Sequence, residues 1–352
     1  GVYKRFGEFD KVNAKVEIVT TGIWSGDAGS LTAAFTSSTQ VAQSGNYYYD
    51  VYSTNPATDI AAEVQFGVAY GHINGSGSVS LQNNDNALLA SKATYAQYRS
   101  ILLDPTDTKF SFEDGTGIAT DSNSIYAITL NRARYREKMD AGNWSMTLSG
   151  SNGVFTFIDD SGKKFGDTLG KAGRVFKVVS GSLNLGTENE ATIESTVAGN
   201  GEGYGLFYPD RGIMILNPTA LANVVGTVKP FGKSAVTLIG NLGVDADYQN
   251  HERLFQAIAN GADFEARRTE NVSTQHFFVR ATNREFNYSN NPTYTKTDGT
   301  FVEATFETDP QTFITTIGLL NDSNELIAVA KTSQPIVKSF DKEVLIKVKL
   351  SF

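Results

Sequence analysis

The sequence predicts a mainly β fold, an α+β chain of antiparallel sheets with a few short helices, on three observations. Short apolar runs alternate with polar residues at a period of two, as half-buried strands do. Tyrosine and phenylalanine, at 15 and 22 residues, favour such pleated surfaces. Glycine, at 33 residues, falls between the runs where turns belong.

Val12 to Thr20 alternates through Val16, Ile18 and Thr20, and Gly22 to Ser30 reads as a loop. Tyr47 to Tyr52 is a second strand, ended by the turn dipeptide Asn55-Pro56. Glu63 to Tyr70 alternates through Val64, Phe66 and Val68, and the glycine-rich Gly71 to Ser78 follows. A helix is expected next, with Ser91 at the N-cap and Tyr95, Tyr98 and Leu102 at helical spacing; Asp104-Pro105 stops it. Ile125 to Leu130, Trp144 to Leu148 and Val154 to Ile158 read as strands, with a basic turn or short helix over Asn131 to Asn143.

The polar, glycine-rich stretch 159–173 suggests a boundary between two β-rich domains, 1–160 and 174–352. Arg174 to Leu185 is strand material. Asn217 as N-cap, Pro218 at N1 and Gly226 at the far end bracket a short helix. Val236 to Leu242 reads as a strand, and Asp247 to Asn260 as a helix with Tyr248, Leu254, Phe255 and Ile258 on one face. The last third holds a strand at His276 to Ala281, a polar loop over Asn283 to Tyr294, and a hairpin of Phe313 to Leu320 with Leu326 to Ala330. Glu343 to Phe352 ends it, with Val344, Ile346, Val348 and Leu350 on one face, and is expected to pair with that hairpin.

Composition narrows the function. The chain has no cysteine, so disulfides, zinc–thiolate sites and cysteine nucleophiles are excluded. A net charge of −8 argues against a nucleic-acid partner, which usually meets a positive face. No run approaches the ~18 apolar residues of a membrane span, and Gly1 to Phe6 lacks the apolar run of a signal peptide, so a soluble protein is expected.

Candidate chemical motifs weigh little. Gly166 to Lys171 (GDTLGK) has three residues between its glycines and Ala172 after the lysine, where a phosphate loop needs four and then Ser or Thr. His72, His251 and His276 share no metal-ligand spacing, so neither a metal nor a cofactor is expected. Asp159-Asp160, Asp245 with Asp247, and Glu202 are the carboxylates open to paired-acid chemistry. Asp322 to Glu325 reads as a turn rather than a calcium loop. Arg132, Arg134, Arg136 and Lys138 form a solvated face or a docking site for an acidic partner.

Three C-terminal stretches, Asn283 to Tyr294 (NREFNYSNNPTY), Phe313 to Lys331 (FITTIGLLNDSNELIAVAK) and Pro335 to Phe352 (PIVKSFDKEVLIKVKLSF), resemble virion structural proteins of large contractile-tailed phages, especially those of cyanobacteria. Gly22 to Gly26, Glu63 to His72 and Tyr126 to Trp144 are similar to the same group. The resemblance implies a non-enzymatic tail or baseplate building block, assembled in the host cytoplasm and partnered by other virion proteins and copies of itself. Tyr288, Asn290, Pro292 and Tyr294 in the polar loop, with Arg132 and Arg134, are the candidate subunit contacts. A glycan-binding host-recognition module is the alternative, and a tail-associated glycosidase a third reading.

Overall fold

A computed structural model describes residues 5–7, 10–24, 30–38, 48–74, 89–163, 168–184, 190–229, 236–237 and 250–351. Strands β1 (Lys11–Gly22), β2 (Ser30–Leu31), β3 (Tyr48–Tyr52) and β4 (Val64–His72) precede helix α1 (Leu89–Leu102). A hairpin of β5 (Phe110–Glu113) and β6 (Ala119–Ser122) leads into β7 (Ser124–Leu130) and a single helical turn, α2 (Arg132–Tyr135). Next come β8 (Lys138–Gly150), β9 (Gly153–Asp159), β10 (Thr168–Gly170), β11 (Gly173–Asn184), β12 (Glu190–Ser195), β13 (Gly205–Tyr208) and β14 (Ile213–Leu216). Helix α3 (Pro218–Val225), β15 (Thr227–Val228), β16 (Val236–Thr237) and helix α4 (Asn250–Gly261) follow. The chain continues through β17 (Phe264–Ala281), β18 (Thr312–Leu320), β19 (Leu326–Lys338) and β20 (Val344–Ser351). The protein is mainly β. Among the described residues its main sheet has fourteen strands, with the path β1-β17-β8-β9-β11-β13-β14-β7-β4-β3, and is antiparallel from β17 through β3.

The chain divides into a larger compact unit, Val19–Glu270, and a smaller one of Gly1–Ile18 with Asn271–Phe352. The expected boundary at 159–173 lies inside the larger unit. That stretch connects β9 to β11, which pair directly through Asp159↔Val178 and Val179↔Ile158, so no domain can part there.

The larger unit has three layers, because the middle strands bury both faces. Tyr126, Ile128 and Leu130 of β7, with Met214 and Leu216 of β14, join one apolar cluster that includes Leu221 of α3 and Leu254 of α4. Their neighbours Ile125, Ala127, Ile213 and Ile215 face a second cluster with Tyr95 of α1 and the hairpin residues Phe110 and Phe112. Alternate residues of one strand therefore serve two cores.

The helix signals hold at α3, where Asn217 accepts from the Thr219 amide at 3.1 Å and Pro218 opens the helix. Ser91 is not the cap expected of it: α1 begins at Leu89, and Ser91 is buried within the first turn. The Tyr95 hydroxyl donates to Ser122 O at 2.7 Å and accepts from Phe110 N at 3.1 Å, tying α1 to the β5–β6 hairpin. Leu254, Phe255 and Ile258 of α4 are buried as expected, while 247–249 and 238–242 of the expected elements lie outside the described residues. Gly212 is required in this unit. Its φ is +63°, and a Cβ there would sit 2.4 Å from Tyr135 Cε1.

In the smaller unit, β20 pairs with the second half of β17, from Thr274↔Ser351 to Ala281↔Val344, and not with the hairpin as expected. At 18 residues, β17 is long enough to offer β20 an edge of matching length. The stripe on β20 faces as expected: Val348 is buried and Val344, Ile346 and Leu350 are half-buried, while Leu345, Lys347 and Lys349 are exposed. The β18–β19 hairpin stands as its own two-stranded sheet.

Candidate functional site

Compact units are normally held by apolar side chains enclosed between layers. The smaller unit departs from this. Neither apolar cluster contains one of its residues. Among the described residues nineteen large apolar side chains are exposed. Seven belong to the larger unit (Val19, Tyr48, Ile60, Ile101, Ile118, Val154 and Leu169), and the other twelve lie in the smaller one, under a third of the chain. Phe313 on β18, Leu326, Ile327 and Val329 on β19, Phe340, and Leu345 on β20 are each more than half exposed. Single exposed apolar residues are ordinary, and it is their concentration in one unit that is unusual here.

The order in this unit comes from local devices. Tyr294 packs within a small aromatic group, stacked on Phe306 at 4.8 Å and edge-on to Phe301 at 5.6 Å and Tyr288 at 5.9 Å. The turn between β18 and β19 is closed by Asn321, whose amide donates to Glu325 O at 3.0 Å, with Asn324 at φ +63°. That geometry is a turn, as expected for Asp322 to Glu325. Lys349 of β20 forms an ion pair with Glu17 of β1, which holds the Glu17 carboxyl below the usual carboxylate range.

Of the candidate contacts in the polar loop, Tyr288, Asn290 and Pro292 are exposed. Tyr294 is not available for contact: it is 6% exposed and its hydroxyl donates to Asn287 O at 3.2 Å. The basic run is also largely committed within the chain. Arg134 pairs with Glu63, Arg136 with Glu270 at 3.3 Å, and the Arg132 guanidinium lies 4.9 Å from the centre of the Tyr135 ring. Arg132 is exposed, whereas the Arg134 side chain is 18% exposed, so the two do not make one open cationic face.

The candidate carboxylates serve the backbone. Asp159 accepts from the amides of Gly142 at 2.8 Å and Ser161 at 2.9 Å, and Asp160 from the amide of Lys177 at 2.8 Å. Burial pushes the Asp159 carboxyl up, against the pull of those bonds. Glu202 accepts from Asn217 Nδ2 at 3.0 Å, behind the cap of α3. Asp245, Asp247, Gly166 and Asp167 lie outside the described residues. Thr168 to Gly170 forms a hairpin with the start of β11. His72 accepts from the Asn74 amide at 3.1 Å, His251 packs on Tyr49, and His276 lies on β17. Among the described residues no three His, Asp or Glu are grouped to hold a metal.

A cleft of about 340 Å³ opens in the larger unit, lined by Ser30, Thr32, Ser53, Thr54, Asp59, Glu63 and Arg134. Trp24 floors it but is 5% exposed, packed on Phe264 at 5.1 Å and Phe66 at 5.9 Å, so it offers no open ring face for a sugar.

Sequence reasoning missed that, among the described residues, the smaller unit contributes to neither apolar cluster. The signal available was the pair Leu326-Ile327, adjacent apolar residues that cannot both face inward on one strand. No protein-family model, no curated protein and no solved structure matches the chain. Among the described residues no helix is long and apolar enough to cross a membrane.

Proposed function

We propose that this chain is a structural component of a tailed-phage virion, in the tail or baseplate, and that it acts by protein–protein contacts. The observation that carries the reading is the smaller unit, which among the described residues holds twelve exposed large apolar side chains and contributes to neither apolar cluster. Such a surface costs free energy until another protein covers it. The three C-terminal stretches that resemble tail proteins, 283–294, 313–331 and 335–352, all fall in this unit. The larger unit is then the folded body, and the smaller one the part that meets neighbours in the particle after assembly in the host cytoplasm.

The test is proteomic. Density-purified particles of the encoding phage should contain the chain at a fixed stoichiometry. Lysine cross-linking of those particles should join Lys331, Lys347 or Lys349 to other particle proteins. A chain absent from purified particles would refute the reading.

A further inference from the structure

We propose that β18 is an assembly edge that pairs antiparallel with β18 of a second copy of this chain, joining two hairpins into one four-stranded sheet. The proposal rests on the reading of the smaller unit as an assembly surface and names its first partner.

Because, among the described residues, β18 and β19 pair only with each other, each presents one row of backbone N–H and C=O groups away from the hairpin. The two outer rows differ. The register jumps between Ile314↔Ile336 and Thr316↔Lys331, and again between Leu319↔Ala328 and Leu320↔Leu326. Both jumps place the extra residues on β19. Pro335, which has no N–H, lies in the larger bulge, and Lys331 borders it. Bulges, proline and lysine are the devices that keep a strand edge from pairing. β18 carries none of them: Thr312 to Leu320 (TFITTIGLL) has no charge and no proline.

The occupant that fits this edge is the same strand turned about a two-fold axis through Thr316. That register sets Thr316 against Thr316 once, and Ile314 against Gly318 and Phe313 against Leu319 twice each. A bulky side chain meets a small one at the second pair. A charged strand would bring each charge towards its own copy, whereas this one meets itself without repulsion. The contact also closes, because it uses both β18 edges and leaves only the blunted β19 edges outside.

One strand pair is a small interface, so association is measured on the purified full chain by sedimentation up to about 100 µM. A monomer–dimer equilibrium is expected. Thr316→Glu places its carboxylate opposite Lys331 within its own hairpin, yet opposite itself across the two-fold. It should raise the dissociation constant about 100-fold. Mixing Thr316→Glu with Thr316→Lys chains should restore the dimer. In the wild type, hydrogen exchange in β18 should slow as concentration rises while that in 332–335 does not. A wild type that stays monomeric throughout, or a dimer indifferent to Thr316→Glu, overturns the proposal. Presence in particles is a separate measurement, so either reading can fail alone.

Discussion

Lys338 Nζ donates to Asn287 Oδ1 at 2.8 Å, although no part of the lysine reaches solvent. Its other two donors go to Ser339 O at 2.8 Å and Asn283 O at 3.2 Å, so all three ammonium protons are used. Burial holds this ammonium below the ordinary lysine range, while Glu285 and Glu343 pull it back up. The side chain ties the loop after β17 to the end of β19 in a unit with no apolar core to do so.

Lys338→Met keeps the bulk and leaves Asn287 Oδ1 without its donor, while Asn283 O still accepts from Asn287 Nδ2 at 2.7 Å and Ser339 O from the Lys342 amide at 3.2 Å. A loss of about 2 kcal/mol in the smaller unit is expected. Hydrogen exchange over 283–312 should accelerate while exchange in β7 and β14 stays slow. Unchanged exchange in the loop would show that the lysine is not its anchor.

His251, in the first turn of α4, is 3% exposed, with its ring edge-on to Tyr49 at 4.9 Å. Burial pushes the imidazole down to about 3. In the unfolded chain it keeps its ordinary value near 6.5. Between these values the unfolded state takes up a proton that the folded state refuses, so stability falls as pH drops from about 6.5 towards 3. The full loss is on the order of 5 kcal/mol at the bottom of the window, and nothing is lost above it. Urea unfolding at several pH values checks this. His251→Phe, which keeps a ring against Tyr49, should flatten that part of the pH profile. An equal slope in both proteins would count against the buried imidazole as its source.

The sheet strands were legible where a period of two runs, as in Glu63 to Tyr70, or where an apolar run is almost unbroken, as in Ile125 to Leu130. The start of β17 was hidden by its charges. Arg267 bonds Glu265 at 2.7 Å and Arg268 bonds Glu270 at 2.7 Å, so residues two apart on one face neutralise each other in a strand whose apolar alternation is broken by charges. Tyr294 looked like a contact residue because the rings that bury it lie six, seven and twelve positions away along the chain. The basic run looked free because Glu63 and Glu270 are far from it in sequence. Strand partners are non-local in the same way. Adjacency favoured the hairpin for β20, and the long β17 took it instead.

The last prediction separates the two units by their cores. Residues 19–270 hold both apolar clusters and keep β17 paired to β8 and β2 through Phe264 and Glu265. This fragment should therefore unfold in one cooperative transition close to that of the same unit in the full chain. Deleting Val344 to Phe352 removes eight registered pairs along β17. A fully buried aliphatic side chain contributes about 1.5–3 kcal/mol, and on β20 only Val348 approaches that state, so the strand supplies a few kcal/mol at most. In the smaller unit, with no cluster to absorb the loss, that is enough to release β17 beyond Asn271. The shortened chain should lose protection at 274–281 and stick to itself, yet keep the larger unit's melting transition. If the transition of the larger unit disappears with β20, or the 19–270 fragment fails to melt cooperatively, the division of cores argued above is wrong.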